Sequence, residues 1–148
     1  MKKALSYRLF RLGAIPKKLR PELESEGIVV ADEGMAGRFV AKNVKGPGRR
    51  YRGRVELFSG CLAVTQKRVA CFTYGKRQIH IAADDPKLSD LFVDVPAPDT
   101  LLISFEAADF RDDWRGVLAF RFKTQKARRF FDVLTALGAG RGRPASGA

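Results

Sequence analysis

The sequence predicts a mainly β protein whose strands are closed off by one C-terminal helix. Three observations carry that expectation. Residues 60–74, Gly-Cys-Leu-Ala-Val-Thr-Gln-Lys-Arg-Val-Ala-Cys-Phe-Thr-Tyr, hold two apolar arms broken only by Thr65-Gln66-Lys67-Arg68, the pattern of a β-hairpin. Short apolar segments separated by turn residues recur from residue 28 to residue 122. After Thr124 the period becomes helical, with Ala127, Phe130, Phe131, Leu134 and Leu137 recurring along one stripe.

Each element follows in order. Residues 3–15 suit a short basic helix, with Leu5, Leu9 and Leu12 at helical spacing and Lys2, Lys3, Arg8 and Arg11 beside them. Gly13 and Pro16 end it. Such a helix has two destinations, a membrane surface or the body of its own domain. Pro16 and Pro21 each suit the first position of a helical turn, and Gly27 can close residues 21–26. Strands are expected at 28–31, 36–44 and 51–58, with a turn at 45–50 and another at Ser59-Gly60. If Gln66 and Lys67 form the turn of the central hairpin, Val64 faces Val69 and Leu62 faces Cys71 on one face. Cys61, Ala63 and Phe72 then fall on the other. Gly75-Lys76 is the next turn, followed by a strand at 78–82, a loop at 84–90, and a strand at 91–95 ended by Pro96. Residues 101–105 are strongly β, 106–116 an acidic loop, and 117–122 an alternating strand. Thr124 can cap the closing helix and Gly138 can stop it. Phe130 and Phe131 are both expected to bury against the sheet.

The chain of 148 residues suits one domain, divided as a basic helical extension (1–26), the β domain (27–138) and a Gly- and Arg-rich tail (139–148) that cannot pack. The net charge is +12 and unevenly placed: residues 1–54 hold 14 Lys/Arg against 5 Asp/Glu. That asymmetry points to an anionic partner, either a membrane surface or nucleic acid. Cys61 and Cys71 do not make a disulfide framework and suit a reducing compartment. Arg8 and Arg11 interrupt any signal-like apolar run, and nothing approaches a membrane span. The expected location is the cytoplasm, with peripheral attachment to a membrane as one reading.

Gly60-x-Leu62-x-x-Thr65-x-x-Arg68-Val69 resembles the strand-turn-strand signature of GRAM and bacterial pleckstrin-homology-like domains. The last strand and Phe-rich helix, residues 117–137, are similar to that family's closing elements. The resemblance implies a bent sheet of two packed layers, a partly open barrel with a helix plugging one corner, and no enzyme activity. It implies phospholipid headgroups or protein segments as partners. It also implies an anion site on the first hairpin, where Lys42 with Arg52-x-Arg54, or Lys42 with Arg50-x-Arg52, matches the pattern of lipid-binding members. The family usually carries a Trp in its closing helix, whereas the only Trp here, Trp114, precedes the last strand.

The most functional-looking stretch is residues 45–54, where Lys45, Arg49, Arg50, Arg52 and Arg54 crowd an exposed Gly-Pro-Gly turn and can present forked donors to phosphate. Its spacing is not that of a Walker loop. His80, the only histidine, has no Cys or His at metal-ligand spacing, and Asp109, Asp112 and Asp113 lack the order of a calcium loop. No catalytic residue, metal or cofactor is therefore expected. Phe105, Phe110, Trp114, Phe120 and Phe122 read mostly as core rather than as a stacking platform for single strands. The sequence leaves three readings: attachment to anionic membrane, a protein-interaction or self-assembly module, and nucleic-acid binding.

Overall fold

A hairpin that is apolar on both faces needs cover on both. The computed structural model describes residues 3, 13–110 and 113–140, with the backbone alone at residues 49, 51 and 52. Its elements are helix α1 (Arg20–Ser25), strands β1 (Ile28–Gly46), β2 (Arg49–Thr65), β3 (Arg68–Thr73), β4 (Lys76–Ala82), β5 (Phe92–Ala97) and β6 (Thr100–Glu106), helix α2 (Ala107–Phe110), strand β7 (Arg115–Lys123) and helix α3 (Ala127–Ala136). One antiparallel sheet runs in the order β4-β3-β2-β1-β7-β6-β5. It is not closed: β4 and β5 are its two edges. The halves nonetheless share one core, in which Leu62, Val64, Val69, Cys71 and Ile79 from β2–β4 pack with Val93, Leu101, Ile103, Phe105, Phe120 and Phe122 from β5–β7. Phe58 bridges them, edge-on to Phe122 at 5.3 Å and to Phe120 at 6.0 Å. The sheet is therefore bent over its own inner face, and α3 caps the bend with Ala127, Phe130 and Leu134.

The central hairpin takes the expected register, Val64 opposite Val69 and Leu62 opposite Cys71. Its second face carries Cys61, Ala63 and Phe72, and is covered by Ile15, Leu19 and Leu23 of the N-terminal extension. Both thiols are buried and unlinked, and burial pushes Cys61 up to about 12 and raises Cys71 as well. A thiol reagent at pH 8 should therefore leave the native protein unlabelled and modify both cysteines in denaturant. Labelling of the native protein at the denatured rate would contradict this packing.

Several boundaries differ from expectation. Residues 28–31 and 36–44 are not separate strands but one strand of 19 residues. The polar interruption Asp32-Glu33-Gly34 is a bulge, at which the register with β2 shifts, and both carboxylates have partners elsewhere. Ser59-Gly60 is not a turn: both are buried inside β2, and a Cβ on Gly60 would lie 2.8 Å from the Phe72 carbonyl oxygen. The first hairpin turns at Pro47-Gly48 alone, with Gly48 at φ +67. The β3–β4 turn is Tyr74-Gly75, both at positive φ, and β4 starts at Lys76. Residues 86–90 form a 3₁₀ turn capped by Asp85, and the acidic loop contains α2, whose Phe110 meets Phe105 at 4.8 Å. Pro96 lies inside β5, tolerated there because β5 is an edge.

Phe131 is only half-buried, under the Arg128 guanidinium, whereas Phe130 is fully buried. Phe131, four residues after Ala127 and three before Leu134, borders the same stripe and packs at the edge of the core, whereas Phe130 is covered completely. Thr124 does cap, accepting from Lys126 N at 3.0 Å, but one turn before the regular helix begins. Beyond Gly138 (φ +109), Ala139 is buried and Gly140 pairs with Phe92, so the chain stays on β5 for two residues of the expected tail.

Candidate anion-binding surface

The β1–β2 hairpin is the longest projection of the sheet. A strand's side chains alternate between faces, so neighbouring positions on it diverge. Arg54 pairs across the ladder with Ala41, and Gly53 with Lys42. Arg54 therefore turns to the inner face and Lys42 to the outer one. Of the described candidates, Lys42 and Arg54 thus stand on opposite faces. Lys45 and Arg50 lie directly opposite each other near the turn, both exposed, a like-charge pair that repels in the absence of an anion. Arg49 and Arg52 belong to the same strand, but their side chains lie outside the described residues. So do Lys2, Leu5, Arg8, Leu9, Arg11 and Leu12 of the expected N-terminal helix. Lys3 is described, and it is engaged with the domain, donating to Asp32 Oδ1 and to the Glu33 carbonyl.

An open cleft of about 410 Å³ lies where the inner face reaches the end of the sheet. Its floor is apolar, with Phe39, Leu118 and Phe120. Its rim is polar and mostly cationic: Arg54 from β2, and Lys76 and Arg77 from β4 beside Tyr74 and Gln78. Glu56 is the one acid of this lining, and Arg54 donates to it. The Tyr74-Gly75 turn sets this geometry. Tyr74 adopts φ +49, uncommon for a bulky residue, and its N–H donates to the Ser59 carbonyl at 3.0 Å. That bond brings β4's first two cations to the mouth. Trp114 closes the far side, its ring lying against Gly46, where a Cβ would come within 2.5 Å. Only glycine at position 46 leaves room for the indole.

Sequence reasoning missed Lys76 and Arg77, since the expected turn at Gly75-Lys76 put the strand's start two residues later. Gly75 marks the turn in the sequence, but nothing there places a tyrosine at positive φ, so the turn's position one residue earlier was not legible.

The signature residues Thr65 and Arg68 have a different use. Thr65 Oγ1 accepts from Lys67 N at 3.1 Å and Arg68 N at 3.0 Å, which shapes the turn, and donates to Glu26 Oε1 at 2.9 Å. Arg68 donates from Nε to Glu26 Oε1 (2.8 Å) and from Nη2 to Glu22 Oε1 (2.9 Å), and pins α1 to the hairpin. The Arg68 guanidinium holds the Glu26 carboxyl below its ordinary range. Arg68 Nη1 also lies 3.0 Å from His80 Nε2. Burial, then the charges of Arg68 and Arg77, lower the His80 pKa, so the imidazole accepts this hydrogen bond in its neutral form.

Among the described residues no three His, Cys, Asp or Glu side chains converge as a metal site, and no described helix is long and apolar enough to cross a membrane. No protein-family model matches this sequence, and no curated protein matches it significantly.

Proposed function

We propose that this chain is a non-enzymatic, cytoplasmic binding module of the pleckstrin-homology-like type that attaches peripherally to anionic membrane. The observation that carries the reading is the convergence of Arg54, Lys76 and Arg77 on the rim of an open cleft. Two hairpins separated in sequence thus present cations at one end of the sheet. Anionic headgroups meet forked and point-charge donors there, and a flat bilayer can reach a cleft that opens at the end of a sheet. The basic excess of residues 1–54 adds long-range attraction.

Co-sedimentation at low salt with vesicles of phosphatidylserine and phosphatidylcholine, against phosphatidylcholine alone, tests this. Binding should occur only to the anionic vesicles and weaken as salt rises. Changing Lys76 and Arg77 together to Ser should weaken it about 30-fold, at roughly 1 kcal/mol for each charge near the surface. Failure of the intact protein to bind anionic vesicles, or equal binding by the Lys76→Ser/Arg77→Ser variant, refutes the membrane reading. Binding to oligonucleotides in place of vesicles would transfer the same surface to nucleic acid.

A further inference from the structure

The outer face of the sheet carries a second surface, which meets the cleft only at Leu57, a residue that lines both. The strand registers place its side chains in three rows. The first is Leu57, Arg38, Arg121 and Leu102 across β2, β1, β7 and β6. The second is Val55, Val40, Ala119 and Ser104. The third is Gly53, Lys42, Val117 and Glu106. An apolar row therefore runs between two rows that carry cations.

Three features of this face are unusual for a free surface. Leu57 is 76% exposed and Val55 62%, next to each other on one face of β2. Arg38 and Arg121 are directly opposite, both exposed, and form no salt bridge among the described residues. Two guanidiniums so placed repel. Ser104 is 2% exposed, and its buried hydroxyl has no hydrogen-bond partner among the described residues. The rows border two adjoining grooves of about 370 and 510 Å³ that share Arg38 and Arg121.

We infer that this face holds an extended segment of another protein with acidic, apolar and acidic side chains at alternate positions. Along β1 the face presents Arg38, Val40 and Lys42, a cation, an apolar group and a cation about 7 Å apart. An extended chain repeats its same-side residues at that spacing, so carboxylates meet Arg38 and Lys42 while the apolar residue between them covers Val40 and Val55. One carboxylate between Arg38 and Arg121 removes their repulsion.

Charge decides among occupants. A second copy related by a two-fold axis sets cation rows against cation rows, and the acids of this face, Asp94 and Glu106, lie only at its β5–β6 margin. The chain's own ends are basic, with Lys2, Lys3, Arg8 and Arg11 before the domain and Arg141 and Arg143 after it. A bilayer is flat and does not fill grooves.

The test is fluorescence anisotropy with a labelled eight-residue peptide carrying glutamate, valine and glutamate at alternate positions separated by threonines. One control has lysine for both glutamates, and another has serine for valine. The acidic apolar peptide should bind at least 10-fold tighter than either control, with amide shifts at Val40 and Ala119. The Arg38→Ser/Arg121→Ser variant should lose at least 10-fold, and Leu57→Ser/Val55→Ser should lose as much, while Lys76→Ser/Arg77→Ser leaves affinity unchanged. All these positions are exposed, and thermal melts should show each variant folded. Equal binding of the three peptides, no binding, or amide shifts at the cleft instead would overturn the inference. A concentration-dependent dimer abolished by Leu57→Ser would assign the face to a second copy. Loss of vesicle binding in Val55→Ser, a position outside the cleft, would assign it to the bilayer.

Discussion

Replacing Phe130 with alanine should cost the fold about 3–5 kcal/mol, the range for truncating a fully buried aromatic. The side chain is 0% exposed and lies on the stripe with Ala127 and Leu134 that closes the bent sheet. At 10 residues α3 is too short to persist by its own hydrogen bonds, so it depends on this packing. The ring reaches the core that β5–β7 share with β2–β4, and the cavity it leaves opens the corner where the two halves meet. For a domain of this size the loss corresponds to a fall in Tm of about 10 °C. Phe131→Ala should cost less, about 1–2 kcal/mol, because that ring is only partly buried at the edge of the core, with the Arg128 guanidinium 5.2 Å away. Thermal melts of the two variants check the difference. Equal losses would mean that α3 presents another face to the sheet.

The fold was legible where burial alone sets the pattern. The alternation of Leu118, Phe120 and Phe122, the register of the 60–74 hairpin and the helical stripe after Thr124 each need only one apolar face to be hidden. It was illegible where polar residues inside an element are satisfied by distant partners. Asp32-Glu33-Gly34 looks like a break because nothing local explains two carboxylates in a strand. Their partners are Thr124 and Lys3 for Asp32, and Ile15 N and Arg20 for Glu33. Ser59-Gly60 looks like a turn for a related reason. Gly60 is there because the strand backbone approaches Phe72 closely, a constraint that exists only once β3 has folded back.

The surface was legible as composition but not as geometry. The basic excess before residue 55 is plain in the sequence, yet a one-residue offset sends Lys42 and Arg54 to opposite faces. The cleft instead recruits Lys76 and Arg77, which belong to the charge-balanced part of the chain. Read by spacing, Thr65 and Arg68 were fold markers, and their hydrogen bonds give a physical reason for those residue types. A hydroxyl caps the turn, and a forked donor holds α1 over the second face of the hairpin.

Asp32→Ala should cost about 3 kcal/mol at neutral pH, and Asp32→Asn somewhat less, with most of that cost disappearing in acid. The carboxylate joins three parts of the chain. Oδ2 accepts from Thr124 Oγ1 at 2.8 Å, and Oδ1 accepts from Glu33 N at 2.9 Å and from Lys3 Nζ. It thus ties β1's bulge to the turn before α3, across 92 positions of sequence, and to the N-terminal segment. Hydrogen bonds to a charged group contribute about 1.5–3 kcal/mol each when burial is good, and the lower figure applies to a side chain still 15% exposed. Alanine also leaves the Thr124 hydroxyl, in a residue 0% exposed, without its acceptor. Burial pushes the Asp32 carboxyl up, but the hydrogen bonds from Lys3 and Thr124 outweigh it, and the folded state holds the group below its ordinary value. The folded protein therefore binds this proton less readily than the unfolded chain. Its contribution is fully present above about pH 4 and is lost as pH falls through the folded value. Chemical denaturation of wild type and Asp32→Asn at pH 7 and pH 3 checks both parts. The gap between them should be wide at pH 7 and should narrow at pH 3. A gap that stays constant would mean that the carboxylate's charge plays no part in holding α3 to the sheet.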